Sequence, residues 1–141
     1  MTDSSHDRVT RMIRLATPPE TVWREIGDFE HAAGWHPAFA SSEATEIEGE
    51  RYRRITTTEG EQYFDRLIET GPLRYAYETV EGPLALSDFR AILACVAEKD
   101  GGCHVYWSAR FEPPEGQERQ ADELVGALFE IGLAALPARF A

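Results

Sequence analysis

Two short stretches of the sequence carry side chains that could exchange protons. In "GWHPAF" the residue is His36, and in "YFDRL" it is Asp65. An imidazole with a carboxylate partner can bind, donate or accept a proton near neutral pH. Arg53 is a third candidate, as a counter-ion at the end of its strand. The alternative for the pair is structural: a histidine bonded to a backbone carbonyl, and an aspartate held by a tyrosine or an arginine.

The sequence contains no other arrangement with a recognisable chemistry. His31 and His36 are five residues apart, which is not the spacing of a helical zinc pair, so we predict no metal site. No phosphate-binding loop and no GxSxG motif occurs, and no cofactor is predicted. Cys95 and Cys103 lack CxxC spacing, which indicates two structural thiols in a reducing compartment.

The elements that must position these residues can be read from hydrophobic periodicity and turn residues. A strand over about 9–15 leads to a helix from about Pro18 to Gly27, and a second helical turn ends at Gly34. Pro37 prevents this turn from continuing, so the chain must then run extended. Alternating runs separated by glycine-containing turns predict six further strands, near 39–47, 50–58, 62–69, 74–80, 88–98 and 104–111.

One long helix is predicted near the end of the chain, from about 118 to 136. Its apolar stripe consists of Leu124, Leu128, Ile131 and Ala135, widened by Val125, Phe129 and Leu136. Such a stripe needs a large partner, and an antiparallel meander can supply one. We therefore predict an α+β fold, in which a curved antiparallel sheet of six or seven strands wraps around the long C-terminal helix. Two short helices lie between strands 1 and 2.

Side-chain parity indicates which residues face the helix, because neighbours on a strand point to opposite faces and charged residues favour water. With the arginines of these strands outward, the inward positions are Ile55, Thr57, Tyr75, Tyr77, Thr79, Phe89, Ala91, Leu93, Cys95, Val105, Trp107, Ala109 and Phe111. Most of them would serve an ordinary core as well as a pocket. If Arg66 faces solvent, Asp65 must face inward, where a lone carboxylate is costly unless it is paired or protonated.

Several weak motifs in a fixed order resemble one protein superfamily. They are "PPETVWREIGDF", "GWHPAF", "YFDRL", "EGPLALSDFRAIL" and "VYWSARFEP", followed by a glycine-containing terminal helix. Together they resemble the START-like, helix-grip superfamily (SRPBCC) that includes the Bet v 1 pollen allergens, and most closely its bacterial polyketide cyclase/dehydrase-like, or MxaD-like, branch. The resemblance covers about Val9 to Pro137. It implies a hydrophobic cavity between sheet and helix but no particular reaction, because members bind lipids, hormones and pigments, cyclise polyketides or assist chaperones.

The resemblance also implies roles for particular residues. Related proteins often hold a glutamate at the place of Asp65, and the plant hormone receptors hold, at the place of His36, a lysine that meets an acidic ligand. His36 and Asp65 thereby become the polar groups of the pocket, and the catalytic pair if the protein is an enzyme. The predicted ligand-binding residues are Trp35, His36, Ile55, Thr57, Asp65, Tyr75, Tyr77, Phe89, Ala91, Trp107, Ala109, Leu124, Leu128 and Gly132.

Charge and composition restrict the partners. The chain has 141 residues, a formal net charge of -11 and 43% apolar residues, which suits one acidic domain that attracts neither nucleic acid nor an anionic membrane. Its longest apolar stretch, from Leu124, is interrupted too soon for membrane insertion. Without an apolar secretory signal, the protein is expected in the cytoplasm. We expect a disordered tail over 1–8 and a single START-like ligand-binding domain over 9–141.

Three functions are compatible with the sequence. The first is the binding, in an internal cavity, of a small hydrophobic molecule that is lipid- or polyketide-like and bears a polar or acidic group. The second is a polyketide cyclase/dehydratase-type enzyme in which His36 and Asp65 shuttle protons. The third is a protein-interaction module without a ligand. A homodimer is compatible with each of them.

Overall fold

The computed structural model describes residues 7–83 and 86–141, which form one sheet and several helices. Its strands are β1 Val9–Leu15, β2 Phe39–Ile47, β3 Glu50–Thr57, β4 Gln62–Gly71, β5 Arg74–Glu81, β6 Ser87–Ala97 and β7 Cys103–Glu112. Its helices are α1 Pro19–Ile26, a 3-10 helix Phe29–Gly34, α2 Glu118–Ala134 and α3 Leu136–Arg139. Residues 1–6 of the predicted tail lie outside the described residues, whereas Arg8 pairs with Asp122 of α2, Nε to Oδ1, at 2.6 Å.

The strands follow the order β1-β7-β6-β5-β4-β3-β2, and every neighbouring pair is antiparallel. The sheet is curved but not closed, so β1 and β2 are its edges. The predicted fold class is therefore confirmed: seven strands, one long helix near the C-terminus, and two short helices between β1 and β2.

The core lies between the sheet and α2. Leu93 of β6, Val105 and Trp107 of β7, and Phe129 of α2 are almost completely buried. The rings of Trp107 and Phe129 stack, with centroids 4.4 Å apart. Burying each of these large apolar side chains contributes about 1.5–3 kcal/mol. This layer therefore fixes the position of α2 across the sheet.

The buried face of α2 differs from the stripe predicted from the sequence. Val125, Phe129 and Gly132 are buried, Leu128 is half-buried, and Ile131 is 46% exposed. The expectation that Ile131 belongs to the packed stripe is therefore wrong. The physical reason is that the stack of Phe129 on Trp107 decides how the helix is rotated. Among the described residues, no helix is long and apolar enough to cross a membrane.

β2 is an edge strand that is exposed along most of its length. It pairs with β3, and between Ala40 and Ile47 only Ser42 is half-buried. The hairpin of β2 and β3 turns at Glu48 and Gly49, whose φ angles are 52° and 83°. Positive φ at both central residues is typical of tight two-residue hairpins. The hairpin thus presents its outer backbone edge to solvent.

Candidate functional site

A pocket of about 290 Å³ lies between the sheet and α2. The sheet supplies most of its wall, because alternate residues of β3, β4 and β5 point toward the helix. Leu124 and Leu128 of α2 cover it. The lining consists of Phe39, Arg53, Ile55, Tyr63, Asp65, Tyr77, Thr79, Val80, Glu81, Gly82, Pro83, Leu86, Phe89, Leu124, Val125, Leu128 and Phe129.

A row of polar side chains crosses the wall of the pocket. Arg53, Asp65 and Thr79 stand directly beside one another on β3, β4 and β5, as the register of the strands shows. Arg53 Nε donates to Asp65 Oδ2 at 2.9 Å, and the Thr79 hydroxyl donates to Asp65 Oδ1 at 2.6 Å. The arginine and the aspartate are only 1% and 2% exposed. The carboxylate that parity places inward is thus paired and hydrogen-bonded.

Aromatic rings enclose the Arg53 guanidinium. Its central carbon lies 4.3 Å from the ring centroid of Phe29, 4.6 Å from that of Tyr77 and 5.6 Å from that of Tyr75. Its Nη1 donates to the Phe29 carbonyl at 2.8 Å and to the Tyr75 hydroxyl at 3.1 Å. Cation–π attraction adds to these bonds, because the guanidinium is removed from water. Arg53 therefore connects the pocket wall to the 3-10 helix.

Burial and pairing act in opposite directions on these ionisable groups. Burial raises the pKa of the Asp65 carboxyl above its usual range, although the Arg53 guanidinium and the Thr79 hydroxyl favour the ionised form. Burial lowers the pKa of Arg53, but the oxygens of Tyr75 and Asp65 outweigh it, so the pKa is raised overall. Arg53 is therefore cationic, and its partner carboxyl accepts two hydrogen bonds, as an ion pair does.

His36 is buried, and both of its ring nitrogens bond to the backbone. Nε2–H donates to the Leu128 carbonyl at 2.7 Å, and Nδ1 accepts from the Ala38 amide at 3.1 Å. These partners assign the neutral tautomer with its proton on Nε2. Burial lowers the pKa of His36 to about 4, with a smaller contribution from Arg53, while the Leu128 carbonyl opposes the shift. The imidazole is therefore neutral at physiological pH and connects the loop after the 3-10 helix to α2.

Gly132 permits the close approach of His36 to α2. A Cβ atom at this position would lie 2.4 Å from His36 Cδ2 and 3.1 Å from Trp107 Cζ3. The imidazole also stacks on Phe39, with ring centroids 3.9 Å apart. Trp35 joins the cluster, 5.6 Å from Trp107 between centroids. His36 is therefore part of a packed aromatic cluster under α2.

The structure divides the predicted ligand-binding residues into two groups. Ile55, Asp65, Tyr77, Phe89, Leu124 and Leu128 line the pocket. The others lie outside the lining: Trp35, His36, Thr57, Tyr75, Ala91, Trp107, Ala109 and Gly132. Within the second group, the structure brings Trp35, His36, Trp107 and Gly132 together in the aromatic cluster.

Some lining residues were missing from the predicted set. Arg53 and Tyr63 have the same parity as Ile55 and Asp65, and this signal could have placed them in the lining. Val80 and Glu81 are the last two residues of β5, and Gly82, Pro83 and Leu86 lie between β5 and β6, where no periodicity guides a prediction. Sequence reasoning therefore finds the strand-borne wall better than the rim.

Two other polar features stand apart from the pocket. The indole N–H of Trp35 is buried and has no acceptor among the residues that the structure describes. Cys95 and Cys103 are buried free thiols in neighbouring strands. Burial raises the pKa of Cys95 to about 12, so its thiol stays protonated and unreactive at neutral pH. In the described part of the chain, no group of three or more His, Cys, Asp or Glu side chains could hold a metal ion.

Comparison with known proteins gives one family and many similar structures. The profile of the family described as polyketide cyclase / dehydrase and lipid transport matches residues 6–141. No protein of curated function matches the chain. The family match therefore spans both the pocket and the aromatic cluster.

Three solved structures share the fold over nearly the whole chain. XoxI from Bacillus cereus is 25% identical, with 93% of each chain covered and a TM-score of 0.84. An uncharacterised protein from Bacillus thuringiensis is also 25% identical, with 93% of this chain and 96% of that chain covered and a TM-score of 0.83. A protein from Thermobifida fusca is 27% identical, with 94% and 91% covered and a TM-score of 0.82.

Proposed function

The chain belongs to the polyketide cyclase / dehydrase and lipid transport family, and from this premise we propose that it binds a small hydrophobic molecule in the pocket under α2. The family match also confirms the resemblance found in the sequence motifs. One observation carries the proposal: the pocket of about 290 Å³ has a mostly apolar wall and one row of buried polar groups. Ligand sites in proteins combine these two features.

The size of the pocket limits the ligand. Its volume is close to the lower end of the range of about 300–1,000 Å³ that small-molecule sites occupy. A molecule of two or three fused or linked rings suits this space better than a long acyl chain. Ile55, Phe89 and Leu128 offer it aliphatic and aromatic contacts. The driving force would be the removal of apolar surface from water, worth about 25 cal/mol per Å².

The cyclase/dehydratase alternative has less support from the geometry. The proposed acid/base pair requires His36 to reach the ligand, whereas its two nitrogens bond to Leu128 and Ala38 and its ring lies outside the pocket lining. Asp65 does line the pocket, but Arg53 and Thr79 occupy its oxygens. We therefore favour binding over catalysis. Location in the cytoplasm and assembly into a homodimer remain predictions from the sequence.

A pair of variants on α2 tests the proposal. Leu124→Trp places a larger side chain in the pocket wall, and Ile131→Trp makes a similar change on the same helix, at a side chain that is 46% exposed and outside the pocket. The probe is N-phenyl-1-naphthylamine, a neutral two-part aromatic molecule that fluoresces in apolar sites. We expect the wild type and Ile131→Trp to bind it equally. Leu124→Trp should bind it at least about tenfold more weakly, because the space is filled.

Equal affinity of all three proteins for the probe would contradict the proposal, because the probe would then not enter the pocket. If the wild type does not bind it at all, the interaction-module alternative gains support. Circular dichroism and thermal unfolding of both variants must show that each is folded, so that a loss of binding reports the pocket.

A further inference from the structure

Arg53 has hydrogen-bond donors that the protein does not use. Its Nε donates to Asp65, and its Nη1 donates to Phe29 and Tyr75. The two N–H groups of Nη2 have no acceptor among the described residues. A guanidinium carries five donors in a fixed plane. Nη2 is not among the fully buried, unpartnered atoms of the described residues, so it keeps some accessible surface. Because Arg53 is 1% exposed and lines the pocket, these two N–H groups are available to a ligand there.

Two tyrosine hydroxyls of the pocket lining are in a similar position. The Tyr77 oxygen accepts from the Trp107 indole N–H at 3.1 Å, but its own proton has no acceptor within the described part of the chain. The Tyr63 hydroxyl has no hydrogen-bond partner there either. Burial raises the pKa of both hydroxyls, that of Tyr63 to about 12, so both keep their protons at neutral pH. The pocket wall therefore offers several donors that the described residues do not use.

The charges of the wall do not favour an anion. The cation of Arg53 is compensated by Asp65 at 2.9 Å, and Glu81 adds a second carboxylate to the lining. The whole chain carries a formal charge of -11. A ligand carboxylate would lose its hydration and meet a pocket without net positive charge, which is unfavourable. A neutral acceptor can use the unpaired donors without this cost.

We propose that the pocket selects a neutral aromatic or alicyclic molecule with a carbonyl-type oxygen, which accepts hydrogen bonds from Arg53 Nη2 and the Tyr77 hydroxyl. This inference rests on the proposed function, because it names the chemistry of the ligand for the same pocket. This neutral ligand differs from the acidic one that the resemblance to the plant hormone receptors implied for His36. Asp65 acts here as the counter-ion that holds Arg53 and cancels its charge.

Three probes of nearly equal shape test this chemistry in the wild-type protein. 2-Acetonaphthone has a ketone, 2-ethylnaphthalene replaces it with an alkyl group of similar size, and 2-naphthoate has a carboxylate. Dissociation constants are measured by quenching of tryptophan fluorescence and checked by calorimetry. We expect the ketone to bind about tenfold more tightly than either of the other two, because hydrogen bonds to a charged donor are among the stronger ones.

Two tyrosine variants show whether the preference arises in the pocket. Tyr77→Phe removes a hydroxyl from the lining, and Tyr52→Phe removes one from the opposite face of the sheet, where the ring stacks on Phe64 at 5.0 Å. The quantity compared is the ratio of ketone to hydrocarbon affinity, which is insensitive to a general loss of stability. We expect Tyr77→Phe to lower this ratio about threefold or more, and Tyr52→Phe to leave it unchanged.

The outcomes distinguish a failure of this inference from a failure of the proposed binding function. A ketone preference that Tyr77→Phe reduces supports the inference. Equal binding of all three probes, or tightest binding of the carboxylate, overturns the inference while the proposed binding function stands. A ketone preference that Tyr77→Phe and Tyr52→Phe leave equally intact also overturns it, because the Tyr77 hydroxyl is then not a donor to the ligand. If none of the probes binds, the proposed function fails together with the inference.

Discussion

Protonation of His36 should make the stability of the protein depend on pH in a defined window. Its folded-state pKa is about 4, below the usual 6.5, because burial disfavours the charged imidazolium. Between these two values the unfolded chain binds more protons than the folded one. Stability is therefore highest above pH 6.5 and falls as the solution is acidified toward pH 4.

The size of the effect follows from the shift. The pKa difference of about 2.5 units, at about 1.4 kcal/mol per unit, corresponds to about 3 kcal/mol in all. About 2 kcal/mol of this would already be lost between pH 7.5 and pH 5. Because His36 is 1% exposed, solvent screening reduces the value little. For a domain of this size, such a loss is a substantial part of the usual 5–15 kcal/mol of stability.

The matched variant is His36→Gln, whose side-chain amide can still donate to the Leu128 carbonyl but does not titrate. Urea unfolding is followed by tryptophan fluorescence at pH 7.5, 6.5, 5.5 and 5. At pH 7.5 the variant should be the less stable protein, because it loses the ring stack on Phe39. The difference should shrink by about 2 kcal/mol on acidification to pH 5. Parallel pH profiles for the two proteins would refute the assignment of a buried, neutral His36.

Two further perturbations test the packing of the aromatic cluster and the buried ion pair. Gly132→Ala places a Cβ 2.4 Å from His36 Cδ2, and in urea unfolding it should destabilise the fold by about 1–3 kcal/mol. The control is Gly34→Ala, whose added Cβ has no atom within 4 Å and should change stability by under about 0.5 kcal/mol. Equal effects of the two variants would argue against the close approach of His36 to α2. Arg53→Met leaves Asp65 without its counter-ion and should cost about 3–5 kcal/mol, most of which the double variant with Asp65→Leu should recover. Additive losses in the double variant would show that the two side chains are not coupled.

The fold could be predicted because its signals are local and repeated. Strand boundaries followed from alternation and glycine turns, and the long helix from its apolar periodicity. Asp65 was placed inward by parity alone, since a charged Arg66 fixed the opposite face. The observed register places Asp65 opposite Arg53 and next to Thr79. Parity therefore gives the direction of a strand residue even when its polarity argues against burial.

The direction of His36 could not be predicted in the same way. It follows a 3-10 helix and precedes a proline, so no period of two or 3.6 fixes its side chain. The partner of its Nε2 is the carbonyl of Leu128, 92 residues away, and a backbone carbonyl leaves no signature in sequence. The rotation of α2 was missed for a related reason, because the stack of Trp107 on Phe129 is a tertiary contact. The rim residues Gly82, Pro83 and Leu86 lie between β5 and β6, where no strand periodicity orients them.

The open edge at β2 makes the solubility of this protein depend on electrostatics. A long strand with an unpaired row of backbone donors and acceptors can template pairing with a second chain. The exposed residues of β2 include Glu43 and Glu46. If two molecules paired along β2, these carboxylates would come close together. Their repulsion acts over a Debye length of about 8–10 Å at physiological ionic strength. Concentrated salt or acid would therefore weaken the barrier that keeps neighbouring molecules from joining their sheets.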